Sequence, residues 1–114
     1  MNQSLEVAVR KQGEVALIDI KGDVTAVTGE HIERAYQQVC GEGVNKVLLC
    51  FDSGSYINSG GIAIIIGIAA DGKETARIIR ITGLSPHFQK IFSMVGLTKY
   101  AEIFPSEQAA LAQF

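Results

Sequence analysis

Lys46-Val47-Leu48-Leu49-Cys50-Phe51-Asp52 and, three residues later, Tyr56-Ile57-Asn58-Ser59-Gly60-Gly61-Ile62 decide how this chain is read. The first holds a continuous apolar run of strand length, as expected of a central parallel strand covered on both faces. The second reads as a loop that enters a helix at a hydroxyl followed by two glycines. The segment it opens, residues 60–73, is locally ambiguous. Its five isoleucines favour a strand by propensity. Its length, the preceding Asn-Ser pair and the trailing Asp71-Gly72-Lys73 favour a helix, and a helix is the reading taken. A helix N-terminus concentrates unpaired N–H groups and the positive end of the dipole. Ser59 at that point can cap the helix, and it can also carry a phosphate at low electrostatic cost.

Toward the N-terminus, Leu5, Val7 and Val9 alternate with Glu6, Ala8 and Arg10, the pattern of a half-buried strand. Gln12-Gly13 makes a turn into a second strand over residues 14–20, and so short a connection implies an antiparallel hairpin. Thr28 is placed to cap a helix with Glu30 in its first turn. Ile32, Ala35, Tyr36, Val39 and Cys40 follow at helical spacing, and Gly41 and Gly43 close it. Toward the C-terminus, residues 76–82 read as a strand. Ser85-Pro86 starts a helix with the stripe Phe88, Ile91, Phe92 and Val95, stopped by Gly96. Residues 100–104 form a short last strand, and Pro105-Ser106 restarts a helix with Ala109, Ala110 and Leu111. The order β-β-α-β-α-β-α-β-α predicts an α/β fold. It is a mixed sheet of about five strands, with an initial antiparallel hairpin, otherwise largely parallel pairing, and helices packed on the sheet. One domain spans residues 1–114.

Bulk composition agrees with an ordinary globular domain, 47% apolar and 19% charged, with a net charge of −2. Without a basic stripe, nucleic acid is not an expected partner. Cys40 and Cys50 sit in apolar patterns at a spacing that matches no zinc or redox motif, so both read as small core residues in a reducing compartment. Residues 1–4 lack a basic and an apolar leader region, which leaves the Asn2-Gln3-Ser4 glycosylation triplet without meaning. The longest apolar run, residues 60–70, is too short to span a bilayer. A cytoplasmic protein without direct membrane insertion is expected.

Ser53, Ser55 and Ser59 lack the spacing of a hydrolase elbow, and no phosphate-cradling loop of the nucleotide-binding type is present. His31 and His87 begin separate helices and form no triad or ligand pair. The expectation is a protein with no cofactor, metal or enzymatic activity.

The element order together with Asn58-Ser59-Gly60-Gly61 resembles the STAS domain, and specifically the small bacterial anti-sigma factor antagonists. The likeness covers nearly the whole chain. Ile20-Lys21-Gly22-Asp23-Val24 resembles the family's second strand and its exit. The block from Ser85-Pro86 through Gly96-Leu97 resembles its third helix, and Glu102-Ile103-Phe104 with Ser106 to Leu111 its closing strand and helix. Two positions depart from the pattern: Asn58 stands where the family has an aspartate, and Thr25 where it usually has an acid. The resemblance implies a regulatory protein-binding module. Its unmodified form binds an anti-sigma factor that is also a serine kinase with its own bound ATP. The kinase phosphorylates the loop serine, here Ser59, the complex dissociates, and a serine phosphatase resets it. An alternative stays open, in which the chain is a non-phosphorylated STAS scaffold or accessory subunit of a larger signalling or membrane-transport complex.

Further residues join this expected partner surface. Asn58, Gly60 and Gly61 flank Ser59. Asp23 and Asp52 end strands on the same edge of the sheet, as turn acids or as polar contacts to the partner. Ile64 and Ile68 lie opposite the stripe Ile62, Ile65, Ile66 and Ala69. They are expected to flank Ser59 on an exposed patch that suits a heterologous partner or a homodimer.

Overall fold

A computed structural model describes residues 5–114. The readings placed on residues 1–4, a leader region and the Asn2-Gln3-Ser4 triplet, lie outside the described residues. In chain order the described elements are β1 (Glu6–Gln12), β2 (Val15–Lys21), α1 (Gly29–Gly41), β3 (Lys46–Phe51), α2 (Ser59–Glu74), β4 (Ile78–Thr82), α3 (Pro86–Met94), a single 3-10 turn (Leu97–Lys99), β5 (Glu102–Phe104) and α4 (Glu107–Ala112). This is the expected order, with the 3-10 turn added where Gly96 leaves α3 at φ +88°.

The sheet runs β1-β2-β3-β4-β5. β1 and β2 pair antiparallel, and the remaining neighbours pair parallel. Each crossover steps one strand in the same direction, so crossovers of one hand stack α1, α2 and α3 on a single face. Ile18, Ile20, Leu49 and Ile81 meet Ile32, Tyr36, Ile65 and Phe92 there. On the other face Leu17, Leu48, Cys50 and Phe104 lie under Ala110 of α4. β3 therefore buries both of its faces, which is why its sequence shows no alternation.

β1 departs from the half-buried expectation. It is the sheet edge, Val9 is 42% exposed, and only Val7 within the strand is partly covered. α4 lies over the opposite part of the sheet, against β3, β4 and β5.

Isoleucine propensity loses to helical context in α2, which is 16 residues long. Its buried stripe is Gly61, Ile65, Ile68, Ala69 and Gly72. That stripe is rotated relative to the expected one, so Ile62 and Ile66 become half-buried flanks.

Thr28 precedes α1 as expected, but its side chain caps nothing in that helix. Its Oγ1 accepts from Thr25 N and donates to the Asp23 carbonyl, each at 2.8 Å. Thr28 N in turn donates to Thr25 Oγ1 at 3.1 Å. These reciprocal bonds tie residues 23–28 into a tight loop.

Candidate functional site

The site forms where that loop meets the approach to α2. Val24 N donates to the Tyr56 carbonyl (2.8 Å) and Asn58 N donates to the Val24 carbonyl (3.0 Å), an isolated parallel bridge beyond the sheet proper. Asp23 Oδ1 accepts from Tyr56 N at 3.3 Å. The first turn of α2 is thereby pressed onto the chain leaving β2. A Cβ on Gly61 would overlap the Val24 carbonyl oxygen, and one on Gly60 would stand 2.8 Å from Ala26 Cβ. Both glycines are thus explained by close backbone approach.

Asn58, and not Ser59, caps α2. Its backbone is extended and its Oδ1 accepts from Gly61 N at 2.9 Å. Its carbonyl accepts from Ile62 N at 2.8 Å. The amide oxygen of Asn58 serves this role as a carboxylate would, so the departure from the family's aspartate leaves the cap in place. Ser59 becomes the first helical residue, and its side chain is exposed. Helix geometry leaves the amides of Ser59 and Gly60 without intrahelical partners, and the Ser59 hydroxyl beside them has no hydrogen-bond partner among the described residues.

The apolar surface around Ser59 differs from the expected one. Ile68 is 2% exposed and belongs to the core, because it lies on the same stripe as Ile65 and Gly72. Ile64 is half-buried, with its Cδ1 2.6 Å from where a side chain of Gly29 would begin, so it packs toward α1. The outward face of α2 is instead Ser59, Ala63 and Gly67, one turn apart, with Ile62 and Ile66 as half-buried shoulders. Two large apolar side chains add to it from the loops, Val27 at 75% and Tyr56 at 58% exposure. Tyr56 stacks edge-on against Phe88 of α3, with centroids 5.9 Å apart. Sequence reasoning missed Val27 and gave Tyr56 no role. Val27 carries a usable signal: it is an apolar residue in a polar turn, outside the stripe of α1.

Of the other expected residues, Asp23 joins the site through Tyr56 N. Asp52 is exposed and its side chain bonds locally, Oδ1 accepting from Gly54 N, while its carbonyl accepts from Ser55 N and its N–H donates to the Ile20 carbonyl at 3.1 Å. It shapes the loop from within. Among the loop serines, Ser53 and Ser59 are exposed and Ser55 is buried.

A second cluster lies on the α4 face. Ligand atoms of Asp19, Cys50 and Glu107 fall within 4.8 Å of one another. Arg10 already engages both carboxylates, donating from Nε to Asp19 at 2.6 Å and from Nη2 to Glu107 at 2.9 Å. These bonds, to Asp19 first, hold the guanidinium further above its usual range. Burial, reinforced by Asp19 and Glu107, pushes the Cys50 thiol up to about 12. A protonated thiol and two paired carboxylates are poor ligands for a cation, and the cluster reads as a tie among β1, β2 and α4. No helix among the described residues is long and apolar enough to cross a membrane.

A family model described as STAS domain matches residues 6–110. The protein named "Putative anti-sigma factor antagonist BtrV" from Bordetella bronchiseptica is 23% identical over 95 residues, 83% of this chain and 82% of that one. The crystal structure of an anti-sigma factor antagonist from Mycobacterium paratuberculosis superposes with a TM-score of 0.80 at 22% identity, over 99% of this chain and 96% of that one. The Bacillus cell fate determinant SpoIIAA in its phosphorylated form gives 0.68 at 16% identity, over 95% and 98%. At these identities the structural likeness shows the fold.

Proposed function

The chain belongs to the STAS domain family, and we propose on that footing that it is an anti-sigma factor antagonist whose switch is Ser59. In its unmodified form it binds an anti-sigma factor that is also a serine kinase. The kinase, with its own ATP, transfers the γ-phosphoryl group to Ser59 Oγ and releases ADP, and a serine phosphatase later removes the phosphate. One observation carries this reading: Ser59 is exposed at the first position of α2, relieved of capping by Asn58 and one turn before the exposed Ala63.

The physical logic is a contrast between fold and interface. A phosphate adds about −1.5 to −2 charge at neutral pH. At the start of α2 the dipole favours that charge by roughly 0.3–1 kcal/mol. The cap survives because a different residue supplies it. Buried without a partner in an apolar interface, the same charge costs several kcal/mol, a hundredfold or more in affinity. SpoIIAA, solved in a phosphorylated form, supports a fold that accommodates the modification.

The direct test is incubation with the cognate kinase and ATP, followed by mass spectrometry. Phosphate is expected on Ser59. Phosphate on the exposed Ser53, or none, removes Ser59 from the role. Ser59→Asp is expected to weaken partner binding, and Ser59→Ala to bind without being released. Equal affinity for both contradicts the switch.

Asn58 and Thr25, neutral where the family carries acids, favour a second reading: a constitutive scaffold in a larger signalling or membrane-transport complex. Co-purification separates the two, since the first reading expects a kinase partner and the second a multi-subunit assembly.

A further inference from the structure

β1 ends the sheet, and its outer edge meets no other strand among the described residues. The hairpin fixes which backbone groups that edge presents. Gln12 and Val15 flank the two-residue turn Gly13-Glu14, which makes them a hydrogen-bonded pair of the ladder. Bonded and non-bonded pairs then alternate, so Gln12, Arg10, Ala8 and Glu6 direct their N–H and C=O groups to β2. Val7, Val9 and Lys11 turn theirs outward, a row of donors and acceptors that fits another strand.

Sheet edges that stay unpaired are commonly blocked by proline, a bulge or a projecting lysine. The seven residues of β1 contain no proline, and they register against β2 without a bulge. Its two bases are engaged within the chain. Lys11 Nζ donates to Glu42 Oε1 at 2.8 Å, and Arg10 is held by Asp19 and Glu107. An incoming strand therefore meets neither an uncompensated cation nor a steric stop. It meets Val9 on one face of β1, an apolar side chain 42% exposed, and on the other Ala8, small and also exposed.

The sequence of this edge complements itself. β1 reads Glu6-Val7-Ala8-Val9-Arg10-Lys11-Gln12, with its acid at the start and its bases near the end. Antiparallel pairing of two copies about Val9 engages the whole strand. It sets Val9 opposite Val9, Ala8 opposite Arg10, Val7 opposite Lys11 and Glu6 opposite Gln12, with Glu6 diagonal to Arg10. No like charges stand opposite one another, and the outward groups of Val7, Val9 and Lys11 meet their counterparts in register. Parallel pairing in register would instead stack Arg10-Lys11 on Arg10-Lys11. An antiparallel slip of two residues either sets Arg10 opposite Arg10 or leaves only residues 6–10 paired.

We propose that the β1 edge is a docking surface for a second copy of this chain, which joins by antiparallel β1–β1 pairing about Val9 into one continuous sheet. The symmetry is two-fold, so each copy gives the same strand. The interface is one strand wide and makes a transient dimer, populated at high chain concentration. α1 packs on β1 and β2 and adjoins α2, so it stands between this edge and Ser59, and the dimer carries two exposed copies of that serine.

The test is sedimentation velocity of the full chain from micromolar to millimolar concentration. Reversible growth from monomer to dimer is expected for the parent. Val9→Lys and Val9→Glu each set like charges face to face on the two-fold axis and are expected to raise the dissociation constant about tenfold or more. An equimolar mixture of the two variants is expected to regain the dimer, because lysine then faces glutamate. Val9 is exposed, so both variants keep the fold, which far-UV circular dichroism checks. A parent that stays monomeric at every concentration overturns the proposal. So does a dimer that both variants leave intact, or a mixture that associates no better than either variant alone. A monomeric parent whose pull-down of the anti-sigma factor is lost in Val9→Lys also overturns it, since that assigns the edge to a strand of a different protein.

Discussion

Gly61→Ala and Gly67→Ala make the same chemical change in the same helix and should have opposite effects. Gly67 is exposed in the middle of α2, and a Cβ there meets no atom within 4 Å. Alanine adds helix propensity and trims the freedom of the unfolded chain, together about 1 kcal/mol of stabilisation. At Gly61 the added Cβ overlaps the Val24 carbonyl oxygen and lies 2.8 Å from Val24 Cγ1. Val24 is fully buried and its carbonyl accepts from Asn58 N, so neither side can yield without breaking the bridge that seats α2. Overpacking of this kind costs about 1–3 kcal/mol, and the strained hydrogen bond about 1 more. Less the propensity gain, the net loss is about 1–3 kcal/mol. With an unfolding entropy of about 2.1 cal/mol/K per residue, the chain's 114 residues convert 1 kcal/mol into roughly 4 °C. Thermal unfolding followed by far-UV circular dichroism should show Tm raised about 4 °C by Gly67→Ala and lowered about 4–12 °C by Gly61→Ala. A Gly61→Ala protein that melts at or above the parent temperature would refute the close approach of α2 to the β2 exit.

Asn58→Ala should cost about 1 kcal/mol through loss of the cap, while Asn58→Asp keeps it; identical melting of the two variants would show that Asn58 caps nothing. Ala63→Arg should abolish partner binding in a pull-down while Tm stays put, since Ala63 is exposed on the outward face of α2; retained binding sinks that face as the interface. Iodoacetamide at mildly alkaline pH should label the half-buried Cys40 and spare Cys50, because only a thiolate reacts and the buried thiol stays protonated up to about 12. The folded state keeps that proton while the unfolded chain gives it up from its ordinary value of 9.0, so stability should fall as pH rises from there toward 12. Cys50→Ala should flatten the decline measured by urea unfolding.

Local signals were enough for much of the architecture. The apolar run of β3, the Gly13 turn and the Ser85-Pro86 start depend on neighbours within a few residues, and each element appears where its pattern stands. In the candidate site the loop Asn58-Ser59-Gly60-Gly61 was equally legible, because caps and close-packed glycines leave a chemical trace in sequence. Three side-chain assignments were not. Ser59 and Asn58 are both competent caps, and the choice rests on which backbone is extended at the junction. Ile64 and Ile68 failed because α2 is apolar around most of its circumference, so periodicity could not say which arc faces the sheet. Val27 and Tyr56 come from loops, where no periodicity operates.

The sequence by itself determined the α/β order, the initial hairpin, the doubly buried third strand and the serine at the head of the isoleucine helix, since these follow from hydrophobic pattern and turn chemistry along the chain. Only the tertiary structure decided how far α2 rotates on the sheet and which residue caps it. Those outcomes depend on packing between segments far apart in sequence, where the fit of Gly61 against Val24 and Gly72 against Ile79 selects one arrangement among several that the pattern allows equally.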